Sequence, residues 1–270
     1  MCGIVGILGD HEAAPILVDA LKRLEYRGYD SAGIATVSEG VLERRRAVGK
    51  LVNLSDKLVH EPLRGRAGIG HTRWATHGAP NTRNAHPHRA GDVAVVHNGI
   101  IENYRQLRDD MRARGVVFET ETDTETVAKL CMRHLENGLD HVEAARATVA
   151  QLEGAYALCF LFDGQEDLLI ATRKGSPLAI GHGDGEMFVG SDALALAPMT
   201  QEVTYLEEGD FAVITRAGAD ITDANGQRAN RAMKNIAGTR RRPTKACTNI
   251  SWPRKSPNSP LFWPMRSNTT

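Results

Sequence analysis

The chain has 270 residues, 41% of them hydrophobic and 24% charged, which are values of a globular protein with one large domain or two small ones. Its formal net charge of zero is the sum of two parts of opposite charge. Residues 231–270 hold nine basic and no acidic residues, while the first 230 hold 24 basic and 33 acidic ones. The acidic excess of the larger part excludes a general electrostatic attraction to nucleic acid.

Apolar runs and amphipathic segments divide the first hundred residues into short elements. CGIVGIL predicts a buried strand at the start of the chain, and APILVDALKRLEYR predicts a helix with one apolar face. That face holds Ile16, Leu17, Ala20, Leu21 and Leu24. After the turn-rich loop YRGYDSAG, strands are predicted at GIATVS, at the start of AGIGHTRWATHG and in DVAVVHNG.

The next segments group by type rather than alternating. Helices are predicted in ENYRQLRDDMRARG, DTETVAKLCMRHLENG and HVEAARATVAQLEG, and the first two end in Arg-Gly and Asn-Gly, which are typical of helix C-termini. Short strands follow in AYALCFLFDG, DLLIATRKG, PLAIGHG and EMFVGSD, then a short helix in ALALAPMT and hairpins in VTYLEEGDFAVITRAGADITDANG. Such blocks favour α+β layers over a doubly wound parallel sheet.

The sequence changes character after about residue 238. The stretch RRRPTKACTNISWPRKSPNSPLFWPMRSNTT contains five of the 11 prolines and two of the three tryptophans, without helical or strand periodicity. We therefore expect a domain over residues 1–238 and a disordered basic tail over residues 239–270. Because Arg, Lys and Trp mingle in the tail, binding of nucleic acid there is the alternative.

Several classes of protein and site are not expected. No run of about 20 apolar residues predicts a transmembrane helix, and the N-terminus lacks the basic and apolar regions of a secretory signal, so a cytoplasmic protein without a membrane partner is expected. Four scattered cysteines do not form a disulfide or zinc pattern, and Cys131 and Cys159 fall in apolar segments where burial makes a thiol inert. No Gly-rich nucleotide motif is present, and no cofactor is predicted.

Polar residues at strand and helix ends are the candidates for a site. Asn98-Gly99 is either a turn or a side-chain amide and backbone N–H suited to a developing oxyanion. Arg73 is either a surface ion-pair residue or a bidentate ligand for a carboxylate. Asp123 is either the N-cap of its helix or a partner for an ammonium group. Together Arg73 and Asp123 would fit an α-amino acid.

Two other features have competing interpretations. His86 and His88 have the H-x-H spacing of a metal site, but no third ligand stands nearby in a suggestive pattern, so no metal is predicted. Cys2 is either the first apolar residue of a strand or a nucleophile. Removal of Met1 would give it a free α-amine, whose pKa of about 7.7–8.0 suits a general base on the nucleophile's own residue.

Six motifs occur in one order: CGIVG, LEYRGYDSAG, HTRWATHG, NAHPH, VVHNGIIENY and ETDTE. Together they resemble the class II glutamine amidotransferases, whose glutaminase domain belongs to the N-terminal-nucleophile hydrolases. The likeness covers roughly residues 2–238 and is greatest to the glutaminase half of the fructose-6-phosphate aminotransferases of amino sugar synthesis. EYRGYDSAG and HTRWATHG favour that branch over the purine-pathway phosphoribosyl transferases and asparagine synthetases.

This resemblance implies a four-layer αββα sandwich and hydrolysis of the L-glutamine side-chain amide to glutamate and ammonia through a Cys2 thioester. The general base would be the freed amine of Cys2, and the oxyanion hole would be Asn98 with the Gly99 backbone N–H. Arg73 and Asp123 would hold the substrate carboxylate and ammonium. The loop that closes over the substrate would carry Trp74, Thr76 and His77.

The chain departs from the family at its C-terminal end. Family members continue with a segment like D-K-G-x-Y-x-H-F-M-x-K-E-I-x-E-Q-P and a sugar-isomerising domain that binds fructose-6-phosphate, and they form dimers. Residues 243–260 yield DKGMYKHFMAKEIAEQP when back-translated in a shifted frame with permitted codons. We therefore expect a frameshift near residue 239 and a chain without the isomerase domain, whose dimerisation is doubtful. An inactive truncated product or a non-catalytic binding module is the alternative.

Overall fold

Residues 2–75 and 78–236 are described by the computed structural model, and their strands form two antiparallel sheets. In spatial order, the larger sheet of the described part contains β14 (Met233–Asn235), β11 (Glu202–Tyr205), β9 (Ala179–His182), β10 (Met187–Gly190), β1 (Gly3–Leu8), β4 (Ala67–Arg73), β2 (Ser31–Ser38) and β3 (Val41–Val48). The smaller sheet contains β13 (Gly218–Thr222), β12 (Phe211–Thr215), β8 (Leu169–Lys174), β7 (Gly154–Phe162), β6 (Val93–Ile101) and β5 (His88–Ala90).

Helices cover the outer face of each sheet. They are α1 (Ala13–Lys22), α2 (Leu51–His60), α3 (Tyr104–Arg112), α4 (Asp123–Glu136), α5 (His141–Val149) and α6 (Ala193–Leu196), with a 3₁₀ turn at Glu25–Arg27. Leucines and alanines of α1, α2 and α6 pack on the larger sheet, and apolar residues of α3, α4 and α5 pack on the smaller one. A third cluster, from both sheets, fills the space between them. The predicted αββα sandwich is confirmed.

Central strands are buried on both faces, which is why they appear in the sequence as continuous apolar runs rather than alternating ones. In β6, Val93 and Val95 face the helices, whereas Ala94 and Val96 face the other sheet. Cys159 lies in the layer between the sheets, whereas Cys131 belongs to α4 and lies in the layer between the helices and the smaller sheet. Burial raises the pKa of both thiols to about 12. The prediction that both are buried is confirmed.

One predicted turn and one predicted set of hairpins differ from the structure. Asn98-Gly99 is not a hairpin turn: both residues lie inside β6, opposite Ala157 and Tyr156 of β7. Gly99 has φ of +124°, and a Cβ there would lie 2.0 Å from the carbonyl oxygen of Ala155, so the position requires glycine. The predicted hairpins after residue 202 are also only partly correct, since β12 and β13 pair with each other while β11 pairs with β9 and β14 in the other sheet.

The run VLERRRAV forms β3, an edge strand of the larger sheet. Its three arginines interrupt the apolar pattern, so the sequence does not predict a strand there. Arg44 Nη1 donates to the carbonyl oxygen of Pro87 at 3.1 Å, and Arg46 Nη1 donates to that of Ala85 at 2.8 Å. Pro87 directly precedes β5, the edge of the smaller sheet, so the arginines tie the edges of the two sheets together. The predicted tail, residues 239–270, lies outside the described residues.

Replacing Arg46 with Met should lower the free energy of unfolding by about 1–3 kcal/mol, because the carbonyl oxygens of Arg83 and Ala85 both lose their guanidinium donor. Arg45→Met is the matched control: Arg45 pairs with the half-exposed Glu43 and Glu61, and surface pairs contribute about 0–1 kcal/mol. Urea denaturation of both variants measures the difference. Equal losses at the two positions would contradict the proposed tie between the sheet edges.

Candidate active site

Cys2 precedes β1, with its Sγ 3.2 Å from the backbone N–H of Trp74, which donates to it. Burial raises the pKa of the Cys2 thiol, while the Trp74 hydrogen bond and the charge of Arg73 act in the opposite direction and that of Asp30 adds to the rise. The thiol is therefore protonated at neutral pH, and a base must remove its proton before it can act as a nucleophile.

The backbone beside the thiol is held by the loop between α1 and β2. A Cβ at Gly28 would lie 2.7 Å from the carbonyl carbon of Arg73 and 2.9 Å from the nitrogen of Trp74, so only glycine allows this approach. Asp30 N donates to the oxygen of Arg73 at 3.0 Å, and Asp30 Oδ2 accepts from Ala75 N at 2.6 Å. The EYRGYDSAG loop thus fixes the segment that presents the Trp74 N–H to Cys2.

Asn98 and Gly99 reach the same place from the other sheet. Asn98 Nδ2 donates to the carbonyl oxygen of Cys2 at 3.1 Å, which brings a side-chain amide donor beside the nucleophile candidate. Gly99 lines the same cavity as the Cys2 side chain. Because Nδ2 carries two hydrogens, the bond to Cys2 uses one and leaves the other for a bound molecule.

Arg73 and Asp123 supply opposite charges to the site. Arg73 is 3% exposed, and its guanidinium lies 3.3 Å from the carbonyl oxygen of Gly78 and 3.4 Å from that of Ala79, donating to both. Burial lowers the pKa of Arg73, opposed by nearby groups that include Asp123. Asp123 Oδ2 accepts from the backbone N–H of Ile101 at 2.9 Å.

The interpretation of Asp123 as a helix N-cap is wrong. Thr122 is the N-cap residue of α4, and Asp123 is the first residue inside the helix, where its carboxylate is bound by Ile101 N and Thr124 N. The two backbone donors keep the carboxylate at the start of α4, which is a favourable place for a negative charge. Asp123 is thus not the N-cap, and its carboxylate is the group that supplies negative charge to the site.

One cavity of about 250 Å³ unites these groups. It is lined by Cys2, Arg73, Trp74, Asn98, Gly99 and Asp123, and also by Arg27, His86, His97, Ile100, Thr122, Thr124, Ser176 and Pro177. Every described residue predicted for the site is therefore at the cavity. The predicted residues Thr76 and His77 lie outside the described residues. A thiol, an amide donor and two opposite charges in one small cavity suit attack on a carbonyl group of a zwitterion.

The histidines near the cavity bind hydroxyl groups. His86 Nε2 lies 2.9 Å from Thr124 Oγ1, His97 Nδ1 lies 3.0 Å from the same oxygen, and His88 Nε2 lies 3.1 Å from Thr122 Oγ1. Burial lowers the pKa of His86 and of His88 well below the usual value, so these two rings are neutral. Among the described residues, no group of three or more His, Cys, Asp or Glu side chains could hold a metal ion.

Comparison with known proteins places this geometry in a family. The pattern of the glutamine amidotransferase domain matches residues 71–198. The glutamine–fructose-6-phosphate aminotransferase of Brucella suis is 61% identical over 239 residues, which cover 88% of this chain and 39% of the relative. The chain contains a glutamine amidotransferase domain. The enzyme of the same name from Mesorhizobium japonicum is 58% identical with the same coverage, so the chain spans about two fifths of these relatives.

The architecture of the domain agrees with a solved structure. The glutamine phosphoribosylpyrophosphate amidotransferase of B. subtilis, complexed with ADP and GMP, superimposes with a TM-score of 0.72 and 28% identity. The match covers 83% of this chain and 49% of that enzyme. It supports the assignment to N-terminal-nucleophile amidotransferases. Within the part of the chain that the structure describes, no helix is long and apolar enough to cross a membrane.

Sequence reasoning missed the backbone groups of the glutamine amidotransferase domain's site. The Trp74 N–H contacts the Cys2 thiol, yet every non-proline residue carries such a group and nothing in the sequence marks this one. Gly28 and Asp30 belong to the loop motif EYRGYDSAG, but the motif does not reveal their roles, because the residues that they contact lie some 45 positions downstream.

Proposed function

We propose that the domain hydrolyses the side-chain amide of L-glutamine to glutamate and ammonia through a thioester on Cys2. One observation carries this proposal: the Cys2 thiol, the Asn98 amide and the opposite charges of Arg73 and Asp123 line a single cavity of about 250 Å³. The domain boundaries proposed with it are residues 1–238 for the glutaminase and 239–270 for a separate tail.

The two charges orient the substrate. The Arg73 guanidinium binds the α-carboxylate through parallel hydrogen bonds, and the Asp123 carboxylate binds the α-ammonium. An amino acid held at both α-groups has only its side chain free to extend toward Cys2, so the amide carbon meets the thiol. By family resemblance, Trp74, Thr76 and His77 belong to the loop over the bound substrate.

The reaction needs a base, a nucleophile and an oxyanion donor. With Met1 removed, the Cys2 amine takes the thiol proton, Sγ bonds to the amide carbon, and the carbonyl oxygen becomes an oxyanion that the second Asn98 Nδ2 hydrogen and the Gly99 N–H stabilise. The amine then gives its proton to the leaving nitrogen, the C–N bond breaks and ammonia departs. Water attacks the thioester carbon and releases glutamate and the thiol.

The proposal covers only the part of the relatives to which this chain is similar. The curated relatives are named for fructose-6-phosphate, and this chain spans 39% of their length. Glutamine hydrolysis needs only groups that line the described cavity. Transfer of the ammonia to fructose-6-phosphate in a longer protein is a further proposal, which requires the part of the relatives that lies outside the similarity.

The purified chain should release glutamate and ammonia from L-glutamine and leave L-asparagine unchanged, because the shorter side chain cannot bring its amide to Sγ while both α-groups are held. Intact mass spectrometry of each preparation gives the fraction that lacks Met1. Activity should be proportional to that fraction, since a retained methionine converts the base into an amide. Full activity in a preparation that retains Met1 would contradict the mechanism, and no glutamate from a fully processed preparation would contradict the function.

A further inference from the structure

His71 connects the two sheets next to the cavity without lining it. It belongs to β4 of the larger sheet and is fully buried. Its Nε2 lies 3.0 Å from the carbonyl oxygen of His97 and 3.0 Å from Asn98 Oδ1, both on β6 of the smaller sheet. The imidazole is thus the direct contact between β4, which carries Arg73, and the amide that faces Cys2.

The hydrogen atoms at this contact fix the orientation of the Asn98 amide. A backbone carbonyl oxygen only accepts hydrogen bonds, so the contact with His97 requires a hydrogen on Nε2 of His71. That N–H can face only an acceptor on Asn98, which places Oδ1 at His71 and Nδ2 on the side of Cys2. The 3.1 Å contact from Nδ2 to the Cys2 carbonyl oxygen, another acceptor, requires the same orientation.

The ring is itself held in one position and one charge state. The His86 ring stacks on it, with centroids 4.1 Å apart and planes 25° from parallel. Burial lowers the pKa of His71 to about 3, so it is neutral at physiological pH and carries a single N–H hydrogen. That hydrogen is on Nε2, where both acceptors lie.

We propose that His71 is a positioning residue that holds the Asn98 amide with its NH₂ group toward the oxyanion. The inference rests on the proposed function of Asn98. Rotation of the amide by 180° would present Oδ1, an acceptor, to the developing negative charge and convert stabilisation into repulsion. His71 therefore acts on the transition state and not on glutamine binding, for which Arg73 and Asp123 are responsible.

The tautomer of His71 tests the orientation without reference to activity. Nitrogen NMR of the full chain labelled at histidine, with the His71 signals assigned by their loss in His71→Gln, should show a neutral ring protonated at Nε2 at pH 7. A ring protonated at Nδ1 cannot donate to Asn98 Oδ1, and that result would overturn the proposal even if the chain proved to have no glutaminase activity.

Kinetics test the consequence. His71→Leu should lower kcat about 10- to 100-fold, somewhat less than the roughly 10²–10³-fold loss of a whole oxyanion donor, with KM changed less than about threefold. His71→Gln, which restores a side-chain N–H donor, should recover most of the loss. His182→Leu is the matched control, because His182 bonds Thr204 at 2.9 Å on β9 and β11, away from the cavity. It should leave kcat unchanged.

A double-mutant comparison separates positioning from general damage. In an Asn98→Ala background, His71→Leu should cause no further loss of kcat, since the amide that it orients is gone. Equal impairment by Leu and Gln, or losses that multiply in the double variant, would overturn the positioning role. If His71→Leu does not fold, the proposal is tested by the kcat of His71→Gln relative to that of the unmodified chain and by the tautomer of His71. Absence of activity in the processed unmodified chain would instead count against the proposed function.

Discussion

Cys2→Ala is expected to abolish glutamine hydrolysis, lowering kcat by at least about 10⁴-fold. Among the described residues that line the cavity, Cys2 carries the only thiol, and the other described cysteines, Cys131 and Cys159, are buried in apolar layers. Loss of the thiol removes the group that forms the acyl bond. It leaves Arg73 and Asp123 to bind the amino acid.

Two measurements separate loss of chemistry from loss of the site. Calorimetry should show that Cys2→Ala still binds L-glutamine, and glutamate release should fall to the rate without protein. Cys131→Ala is the matched control: it removes a buried thiol from α4 and should retain kcat at some cost in stability. Glutamate release by Cys2→Ala at a rate near that of the unmodified chain would exclude the thioester mechanism.

The layers of the fold could be predicted because strands that are buried on both faces appear in the sequence as continuous apolar runs. β1 and β6 are examples, since both of their faces meet apolar partners. β3 could not be predicted in the same way. Two of its arginines, Arg44 and Arg46, have partners within residues 83–87, and their hydrogen bonds to backbone oxygens depend on how the two sheets are stacked.

The site could be predicted as a set of residue types but not as an arrangement. Pairing of Gly3 with Thr72 between β1 and β4 brings Cys2 to Trp74, and packing of the two sheets brings Asn98 to Cys2. Both contacts join residues more than 70 positions apart. The N-cap interpretation of Asp123 failed for a related reason, because one of the two donors that bind its carboxylate, Ile101 N, lies on a strand of the smaller sheet, which the local sequence of the helix does not reveal.

Arg73→Ala should lower kcat/KM for L-glutamine about 100- to 1,000-fold, chiefly through KM, because a buried charge-assisted contact to a carboxylate contributes about 3–4 kcal/mol. Arg73→Lys should recover only part of this loss, since an ammonium cannot form the parallel pair of hydrogen bonds. Glutamate release over a range of glutamine concentrations measures both parameters. Unfolding by urea reports how far the lost hydrogen bonds to Gly78 and Ala79 weaken the fold.

Substrate analogues make the assignment of the two charges specific. 4-Aminobutanamide lacks the α-carboxylate and glutaramic acid lacks the α-ammonium, while both keep the amide. Arg73→Ala should lose its preference for glutamine over 4-aminobutanamide but keep its preference over glutaramic acid, and Asp123→Asn should show the reverse. Each variant is thus the control for the other, because general damage to the cavity would lower all three rates together. If both variants discriminated against both analogues as the unmodified chain does, Arg73 and Asp123 would not be the groups that hold the amino acid.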